Sequence, residues 1–309
     1  MPKILISDKY AQEGIDMLTS HGSLEVDIKT GMTPEELKTC ISAYDALLVR
    51  SATKPGKEIL EAADNLKLIV RGGEGTDNID KAYAAEKGIV VENTPGQNSH
   101  AVAELTLGLM FALARHIPRA DSTTKQCQWA KKKLMGTELK GKTLGLIGAG
   151  KIGNDVGNMA KALGMNVICY EIIEDDIGFQ RASIEEVLSQ SDYISVHVPL
   201  TDNTRNMIGA AELEKMKPTA YILNCARGGI IDEQALCEAI NAQKIAGAAI
   251  DTYSKEPIPE DNPLLKCCNV ILIPHLGASS QEAQVNCAVA AADQVISYFD
   301  KGEITNKVN

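Results

Sequence analysis

The chain has 309 residues, of which 44% are hydrophobic and 23% charged, a composition typical of a globular protein of about two domains. Its formal net charge of −10 argues against a nucleic-acid partner, because nucleic-acid phosphates require a basic surface. A local arginine cluster can still bind a small anionic substrate in an acidic protein.

The eight cysteines indicate a reducing compartment. None of them forms C-x-x-C, and no Cys/His group has the spacing of a zinc site, so we interpret them as free thiols. The N-terminal residues lack the apolar core of a signal peptide. The longest apolar run, 101–114, is too short to span a bilayer and contains Glu104. We therefore expect a cytoplasmic protein with no metal ion and no membrane partner.

The first part of the chain alternates short apolar strands with helical patterns. Strands are predicted over 3–7, 45–49 and 67–71, and a helix over 11–20. This alternation predicts a parallel sheet, whose ligands bind outside the carboxyl ends of the strands. Arg50 and Arg71 lie at two of these ends and are expected at a substrate site.

The middle of the chain contains an unusually apolar helix, predicted over 101–115. A helix that is apolar nearly all round is buried in a core or in a subunit interface. The following segment, 120–140, is polar and contains Trp129 and the run Lys131–Lys133. We interpret this run as a solvated face.

A second α/β series begins at Lys142. Its strands are predicted over 143–147, 167–170, 193–198, 220–223, 246–250 and 270–273. A final helix is predicted from a capping box, Ser279 with Glu282, to about Phe299. Two α/β domains without a flexible linker predict a cleft between them, a common place for a ligand.

The motif Gly148-Ala149-Gly150-Lys151-Ile152-Gly153 predicts a dinucleotide site. It follows a predicted strand and opens a predicted helix, and Glu171 stands eighteen residues after Gly153 at the end of the next strand. The carboxylate can accept hydrogen bonds from ribose hydroxyls and would repel a 2′-phosphate. The sequence therefore favours NAD over NADP as the cofactor.

Three later strand ends carry groups suited to acid–base chemistry on a carboxylic acid. Arg227 follows one apolar strand and can bind a carboxylate with two parallel hydrogen bonds. Asp251 ends the next strand, with Glu256 in the loop after it. His275 follows the last strand and can act as general acid or base, with Glu256 orienting it. His197 lies earlier in the series, and we interpret it as structural or cofactor-lining.

These residues and several further stretches make the chain resemble the D-2-hydroxyacid dehydrogenase family from about residue 3 to residue 300. The stretches that carry the resemblance are 49–54 (VRSATK), 75–80 (GTDNID), 93–96 (NTPG), 102–105 (VAEL), 135–139 (MGTEL), 226–229 (ARGG) and 274–278 (PHLGA). The first and fifth of these resemble the branch that acts on phosphorylated glycerate.

The resemblance implies two doubly wound parallel-sheet domains. A Rossmann NAD-binding domain, 99–280, would be inserted into a flavodoxin-like substrate domain formed by 1–98 and 281–309. It also implies a homodimer formed through the NAD-binding domain, with the apolar helix contributing. We further expect a short form of the family, without the C-terminal regulatory domain of longer relatives.

The resemblance assigns roles to individual residues. Arg227, Glu256 and His275 would form the catalytic set, in which His275 exchanges the proton of the substrate 2-hydroxyl. The substrate would contact Arg50, Ser51, Gly72, Gly73 and Arg227. The cofactor would contact the glycine loop (Gly148, Gly150, Lys151, Ile152, Gly153), Glu171, His197, Val198, Pro199, Cys225, Ala226, Asp251, Gly277 and Ala278.

Two residues depart from the family pattern. Glu171 replaces a more frequent Asp, and Glu74 stands where relatives often carry a small or apolar residue. A carboxylate at position 74 would disfavour an anionic ligand unless it points away from it.

The expected activity is NAD-dependent oxidation of 3-phospho-D-glycerate to 3-phosphohydroxypyruvate, the first step of phosphorylated serine biosynthesis. Arg50 and Lys54 are candidates for the substrate phosphate, with Lys131–Lys133 of a second subunit as a further source of charge. A glyoxylate or hydroxypyruvate reductase with the same catalytic set is the main alternative. A nucleotide-sensing corepressor that keeps this fold as a binding module is a second one.

Overall fold

The computed structural model describes residues 1–174 and 177–309. The chain divides into two compact units, one formed by Met1–Asn98 with Ala278–Asn309 and the other by Ser99–Gly277. The second boundary lies three residues before the one expected from the sequence. Ala278, which we expected beside the cofactor, therefore falls in the first unit.

The first unit is built on a parallel five-stranded sheet. Its strands are β1 (Lys3–Ile6), β2 (Glu25–Ile28), β3 (Ala46–Val49), β4 (Leu68–Arg71) and β5 (Val90–Asn93). Its helices are α1 (Gln12–Thr19), α2 (Pro34–Cys40), α3 (Lys57–Glu61), α4 (Lys81–Glu86) and the final helix (Gln281–Lys301). The strand order β2-β1-β3-β4-β5 is that of flavodoxin-like folds.

The final helix completes the apolar core of this unit. Ala291, Ala292 and Val295 are fully buried in the same cluster as Ile4 and Ile6 of β1. The predicted capping box is wrong by one residue. The amide of Ala283 donates to Ser280 Oγ, so Ser280 rather than Ser279 is the N-cap.

The segment after the final helix runs along β5. The amide of Val308 donates to the carbonyl of Val91, and Glu92 Oε1 accepts hydrogen bonds from the amides of Thr305 and Asn306. Glu92 is fully buried. The C-terminal segment thus covers the exposed edge of the sheet, which would otherwise present unpaired backbone groups.

The second unit is built on a parallel seven-stranded sheet. Its strands are β6 (Thr143–Ile147), β7 (Asn166–Tyr170), β8 (Gln180–Arg181), β9 (Tyr193–Val196), β10 (Tyr221–Asn224), β11 (Gly247–Ile250) and β12 (Val270–Leu272). Its helices are α5 (Ser99–Ala114), α6 (Ile117–Lys125), α7 (Lys151–Ala162), α8 (Ile184–Gln190), α9 (Ala210–Lys215) and α10 (Glu233–Asn241).

The strand order of this sheet is β12-β11-β10-β9-β6-β7-β8. The six strands β8-β7-β6-β9-β10-β11 have the Rossmann order, and β12 adds a seventh strand at the edge next to β11. The chain builds the sheet outwards from β6, first towards β8 and then from β9 towards β12, so the strand order reverses between β6 and β9. The predicted α/β class with two parallel sheets is confirmed.

Helix α5 is buried along most of its surface but not all round. Val102, Met110 and Leu113 are buried, whereas Glu104 and Phe111 lie on an exposed stripe. Within the described residues, no single helix has the length and hydropathy of a membrane span. Helices α5 and α6, bent by 61°, reach those values only when taken together.

Candidate active site

The glycine loop connects β6 to α7 at the carboxyl edge of the seven-stranded sheet. Gly148 has φ +93°, a conformation that favours glycine. A Cβ at Gly153 would overlap the carbonyl of Gly148, so helix and loop pack without room for a side chain. Gly150 is the N-cap of α7, and a Cβ there would meet nothing within 4 Å. The loop therefore leaves open space in front of a helix N-terminus, where an anion fits.

Glu171 holds the glycine loop against the turn that follows β7. Its Oε2 accepts a hydrogen bond from the amide of Ala149 at 2.7 Å, and its Oε1 accepts from the amides of Ile172 and Ile173. Partial burial raises the pKa of Glu171, but these amides outweigh it and hold the pKa below its usual value. The carboxylate is therefore ionised at neutral pH, as discrimination against a 2′-phosphate requires.

His197 lies beneath the glycine loop after β9. Burial lowers its pKa to about 4, so the imidazole is neutral at pH 7. Its Nε2 lies 2.8 Å from Ser195 Oγ. A Cβ at Gly148 would meet the backbone of His197 and the side chain of Val198 at 2.9 Å. His197 and Val198 thus form the floor of the loop, and Pro199 beside them is exposed.

Arg227 lies in the turn after β10, and the last residue of that strand, Asn224, stabilises the turn. Asn224 Nδ2 donates to the carbonyl of Arg227 at 2.8 Å, and Asn224 Oδ1 accepts from the amide of Ala226 at 3.0 Å. The Arg227 Nη1 donates to the carbonyl of Ala226. Cys225 is buried, and burial raises the pKa of its thiol to about 12, so it packs as an inert apolar side chain.

His275 and Glu256 form a hydrogen-bonded pair. His275 Nδ1 lies 2.7 Å from Glu256 Oε2, and the two side chains are 48% and 37% exposed. Glu256 Oε1 accepts a hydrogen bond from the amide of Tyr253 at 3.0 Å. Glu256 therefore fixes the imidazole in the tautomer protonated at Nδ1, which leaves Nε2 as a proton acceptor. An exposed histidine with one ring nitrogen fixed in this way is suited to general acid–base catalysis.

Asp251 anchors the segment that carries His275. Its Oδ1 accepts a hydrogen bond from the amide of Leu276 at 2.6 Å, and its Oδ2 accepts from the amide of Gly277 at 2.9 Å. Burial raises the pKa of Asp251, although the two amides oppose this. His275 itself has φ +53°, and these contacts hold its backbone there. We expected Asp251 beside the cofactor, and its sequence neighbourhood does not reveal this second role.

Arg50 and Ser51 follow β3 in the first unit. The amide of Arg50 donates to the buried Asp8 at 2.5 Å, and Asp8 also accepts from the backbone and hydroxyl of Thr53. The Arg50 guanidinium contacts the side-chain oxygen of Gln284. Asp8 thus shapes the turn that carries Arg50, a role that the sequence does not reveal because the residues next to Asp8 carry no motif.

The amides of Gly72 and Gly73 have acceptors within their own unit. Gly72 donates to Tyr10 Oη at 3.0 Å, and Gly73 donates to Thr94 Oγ1 at 2.7 Å. The side chain of Glu74 turns to the amide of Gly96, at 2.7 Å. This backbone contact engages one oxygen of the carboxylate that we expected to conflict with an anionic ligand.

The described residues contain no group of His, Cys, Asp or Glu arranged to hold a metal ion. In the second unit, the predicted cofactor residues from Gly148 to Asp251 lie at or just beyond the carboxyl ends of five strands: β6, β7, β9, β10 and β11. The predicted cofactor residue Gly277 follows the sixth strand, β12. The predicted catalytic residues follow β10, β11 and β12, which are neighbours in the sheet.

Comparisons with known proteins show which family this chain is similar to. The model of the family described as "D-isomer specific 2-hydroxyacid dehydrogenase, NAD binding domain" matches residues 107–277. A D-3-phosphoglycerate dehydrogenase of Archaeoglobus fulgidus is 46% identical over 99% of this chain, which spans 59% of that protein. A hydroxypyruvate reductase of Thermotoga maritima is 43% identical over 95% of this chain and 97% of its own length. A formate dehydrogenase of Staphylococcus aureus in complex with NAD has a TM-score of 0.89 at 26% identity, covering 99% of both chains.

Proposed function

The chain belongs to the D-isomer specific 2-hydroxyacid dehydrogenase family, and on this premise we propose that it oxidises 3-phospho-D-glycerate to 3-phosphohydroxypyruvate with NAD⁺. The observation that carries the chemistry is the pair of His275 Nδ1 and Glu256 Oε2 at 2.7 Å. The choice of substrate is supported by curated D-3-phosphoglycerate dehydrogenases that are 40–47% identical over nearly the whole chain. Their activity is only proposed for this chain, because this chain spans little more than half the length of those proteins.

We assign the proton transfer to His275. With Nδ1 bonded to Glu256, Nε2 accepts the proton of the substrate 2-hydroxyl. The negative charge of Glu256 stabilises the imidazolium that forms. In the reverse reaction, the same nitrogen returns the proton to the 2-oxygen of the keto acid.

Arg227 holds the substrate carboxylate. The guanidinium is planar and always charged, so it binds a carboxylate with two parallel hydrogen bonds and can also polarise the neighbouring 2-oxygen. It follows the strand next to the one that leads to Glu256, so both groups lie at one edge of the sheet.

The glycine loop and Glu171 fit a dinucleotide. The open space at Gly150 admits the pyrophosphate to the N-terminus of α7, and the ionised Glu171 suits the ribose of NAD. When bound, NAD⁺ supplies the two-electron acceptor for this oxidation. Asp251 contributes by fixing the backbone of Leu276 and Gly277 beside His275.

Arg50 and Lys54 are the cations that we propose for the substrate phosphate. The Arg50 guanidinium contacts a neutral amide oxygen of Gln284, so this contact leaves its charge available to an anion. Arg50→Ala should raise KM for 3-phospho-D-glycerate about tenfold, the loss of one charged hydrogen bond, and should affect an unphosphorylated 2-hydroxy acid little. Lys38→Ala, at an exposed position on α2, is the control. Equal effects on both substrates would contradict the phosphate assignment.

A hydroxypyruvate reductase is the second candidate, because the Thermotoga maritima relative matches along almost its entire length. The two candidates share the catalytic set and differ only in the demand for a phosphate site. The ratio of kcat/KM for phosphohydroxypyruvate and hydroxypyruvate separates them. A preference for hydroxypyruvate would replace the first proposal by the second.

We also propose a homodimer formed through the NAD-binding unit. Four of the exposed large apolar side chains of this unit lie between residues 111 and 135, with exposed fractions of 41% to 86%: Phe111, Ile117, Trp129 and Met135. Phe111 and Ile117 line the same open cavity, and a contiguous exposed apolar patch marks an interaction surface. Light scattering should give twice the chain mass, and Phe111→Glu with Ile117→Glu should halve it. A monomeric unaltered protein would refute the proposal.

We propose that the enzyme acts in the cytoplasm. All eight cysteines are free, as is usual where thiols are kept reduced.

A further inference from the structure

Glu233 joins two distant points of the loop that carries Glu256. It is the first residue of α10, whose N-cap is Asp232. Glu233 Oε1 accepts a hydrogen bond from the amide of Ser254 at 2.6 Å, and Glu233 Oε2 accepts from Asn262 Nδ2 at 2.6 Å. The two oxygens of one carboxylate therefore hold residues eight positions apart.

The loop between these two contacts contains the partner of His275. The residue before Ser254 is Tyr253, whose amide donates to Glu256 Oε1. The buried hydroxyl of Tyr253 donates to the carbonyl of Ile273, two residues before His275. Fixing the backbone at Ser254 therefore fixes the amide that orients the Glu256 carboxylate.

The turn after Arg227 packs against the same backbone. A Cβ at Gly228 would overlap the carbonyl of Tyr253 and crowd the amide of Ser254. A displacement of the backbone at residues 253–254 would therefore move the turn that carries Arg227 as well as the Glu256 carboxylate.

We propose that Glu233 is a positioning residue for the acid–base pair. By holding Ser254 and Asn262, it keeps Glu256 against His275 and supports the turn of Arg227. This inference rests on the dehydrogenase reaction proposed above. Glu233 lies outside every motif that the sequence offers, and nothing in the sequence around it predicted these contacts.

Exchanging donor and acceptor between the two side chains tests the proposal. Glu233→Gln keeps an oxygen for the Ser254 amide but turns an NH₂ group towards the NH₂ group of Asn262. Asn262→Asp places a carboxylate oxygen against Glu233 Oε2 and keeps the Asn262 oxygen that accepts from the Leu264 amide. In the double variant the glutamine NH₂ donates to the aspartate, so the contact is restored with its direction reversed.

Each single variant should lower kcat about tenfold, since small displacements of catalytic groups cost one to two orders of magnitude. The double variant should return to within about twofold of the unaltered protein. The affinity for NADH should stay unchanged in all of them.

Glu238→Gln is the matched control. It makes the same chemical change on the same helix, where the exposed Glu238 carboxylate accepts only the side-chain amide of Gln234 among its described hydrogen bonds. The single substitutions lie on different elements, so a folding failure of one leaves the other to test. The proposal is overturned if Glu233→Gln behaves like Glu238→Gln, or if the double variant is no better than the single ones.

The NMR resonance of the His275 Nδ1 proton, measured at one fixed pH, reports the hydrogen bond to Glu256 and needs no turnover. This resonance should shift in the single variants and return to its original position in the double variant. If the unaltered protein fails to oxidise 3-phospho-D-glycerate, the proposed function fails, whereas the Nδ1 resonance still tests the positioning role. An unchanged resonance in all variants would overturn that role.

Discussion

The substitution Gly150→Ala separates cofactor binding from folding. A Cβ at this position meets nothing within 4 Å, and the backbone has φ −63°, which alanine adopts without strain. The methyl group would project into the open space in front of the N-terminus of α7. We therefore expect a folded protein whose glycine loop binds the pyrophosphate of NAD more weakly.

The methyl group of Gly150→Ala affects stability, because Gly150 is a helix N-cap, and NADH affinity, because the methyl group enters the space for the pyrophosphate. Replacing a glycine N-cap by alanine costs about 1 kcal/mol, which lowers Tm by about 2–4 °C in a domain of this size. A displaced pyrophosphate loses at least one hydrogen bond from a backbone amide to a charged group, worth about 1.5–3 kcal/mol. The affinity for NADH should therefore fall about ten- to a hundredfold.

NADH fluorescence titration and thermal unfolding measure the two effects. Gly56→Ala is the control, because Gly56 is also a helix N-cap where an added Cβ would meet nothing within 4 Å, but it lies at α3 in the first unit. Both variants should lose the same small amount of stability, and only Gly150→Ala should lose affinity. An unchanged affinity for NADH in Gly150→Ala would falsify the assignment of this loop to the pyrophosphate.

Two further substitutions test the histidines. His275→Asn, which suits the left-handed backbone at this position, should lower kcat about 100-fold with NADH affinity kept. His21→Asn should change neither quantity, and full activity of His275→Asn would remove His275 from the proton transfer. His197 has a folded pKa of about 4, below the value near 6.5 of an unfolded histidine. The unfolded state therefore binds the extra proton between these values, and stability falls as the pH drops through this window. Denaturant unfolding at pH 7 and pH 5 should show a loss of about 2 kcal/mol from this group that His197→Gln lacks; equal losses in both proteins would contradict a buried neutral imidazole.

The apolar strands and the glycine loop could be predicted because their signals are local. Strand β6 has the bounds expected from its apolar run, Thr143–Ile147. Strand β2, Glu25–Ile28, went unpredicted because it is a half-exposed edge strand without such a run. The N-cap of the final helix was misplaced because Ser279 and Ser280 are adjacent, and the sequence does not show that the amide of Ala283 donates to Ser280 Oγ.

The supporting contacts of the candidate site could not be predicted from sequence. His275 and Glu256 were expected at neighbouring strand ends, and their pairing follows from the order of the strands. The bonds from Asp251 to the amides of Leu276 and Gly277 span about 25 positions and depend on the path of a loop. The same holds for Asp8, which reaches Arg50 from 42 positions away. Such contacts use backbone amides, which every residue type except proline possesses. No pattern of side chains in the sequence therefore predicts them.

The division of the first unit between the two ends of the chain has a consequence for biosynthesis. The apolar face of β1 and α1 is covered by the final helix, and a Cβ at Gly14 would overlap the backbone of Ala288. A ribosome adding about 5–20 residues per second needs about 10–40 s to make the roughly 200 residues that separate Asn98 from the end of that helix. During this interval the first strands expose Ile4 and Ile6, while the contiguous unit Ser99–Gly277 can fold. The apolar residues of the N-terminal segment therefore stay available to chaperones until the final helix has been made.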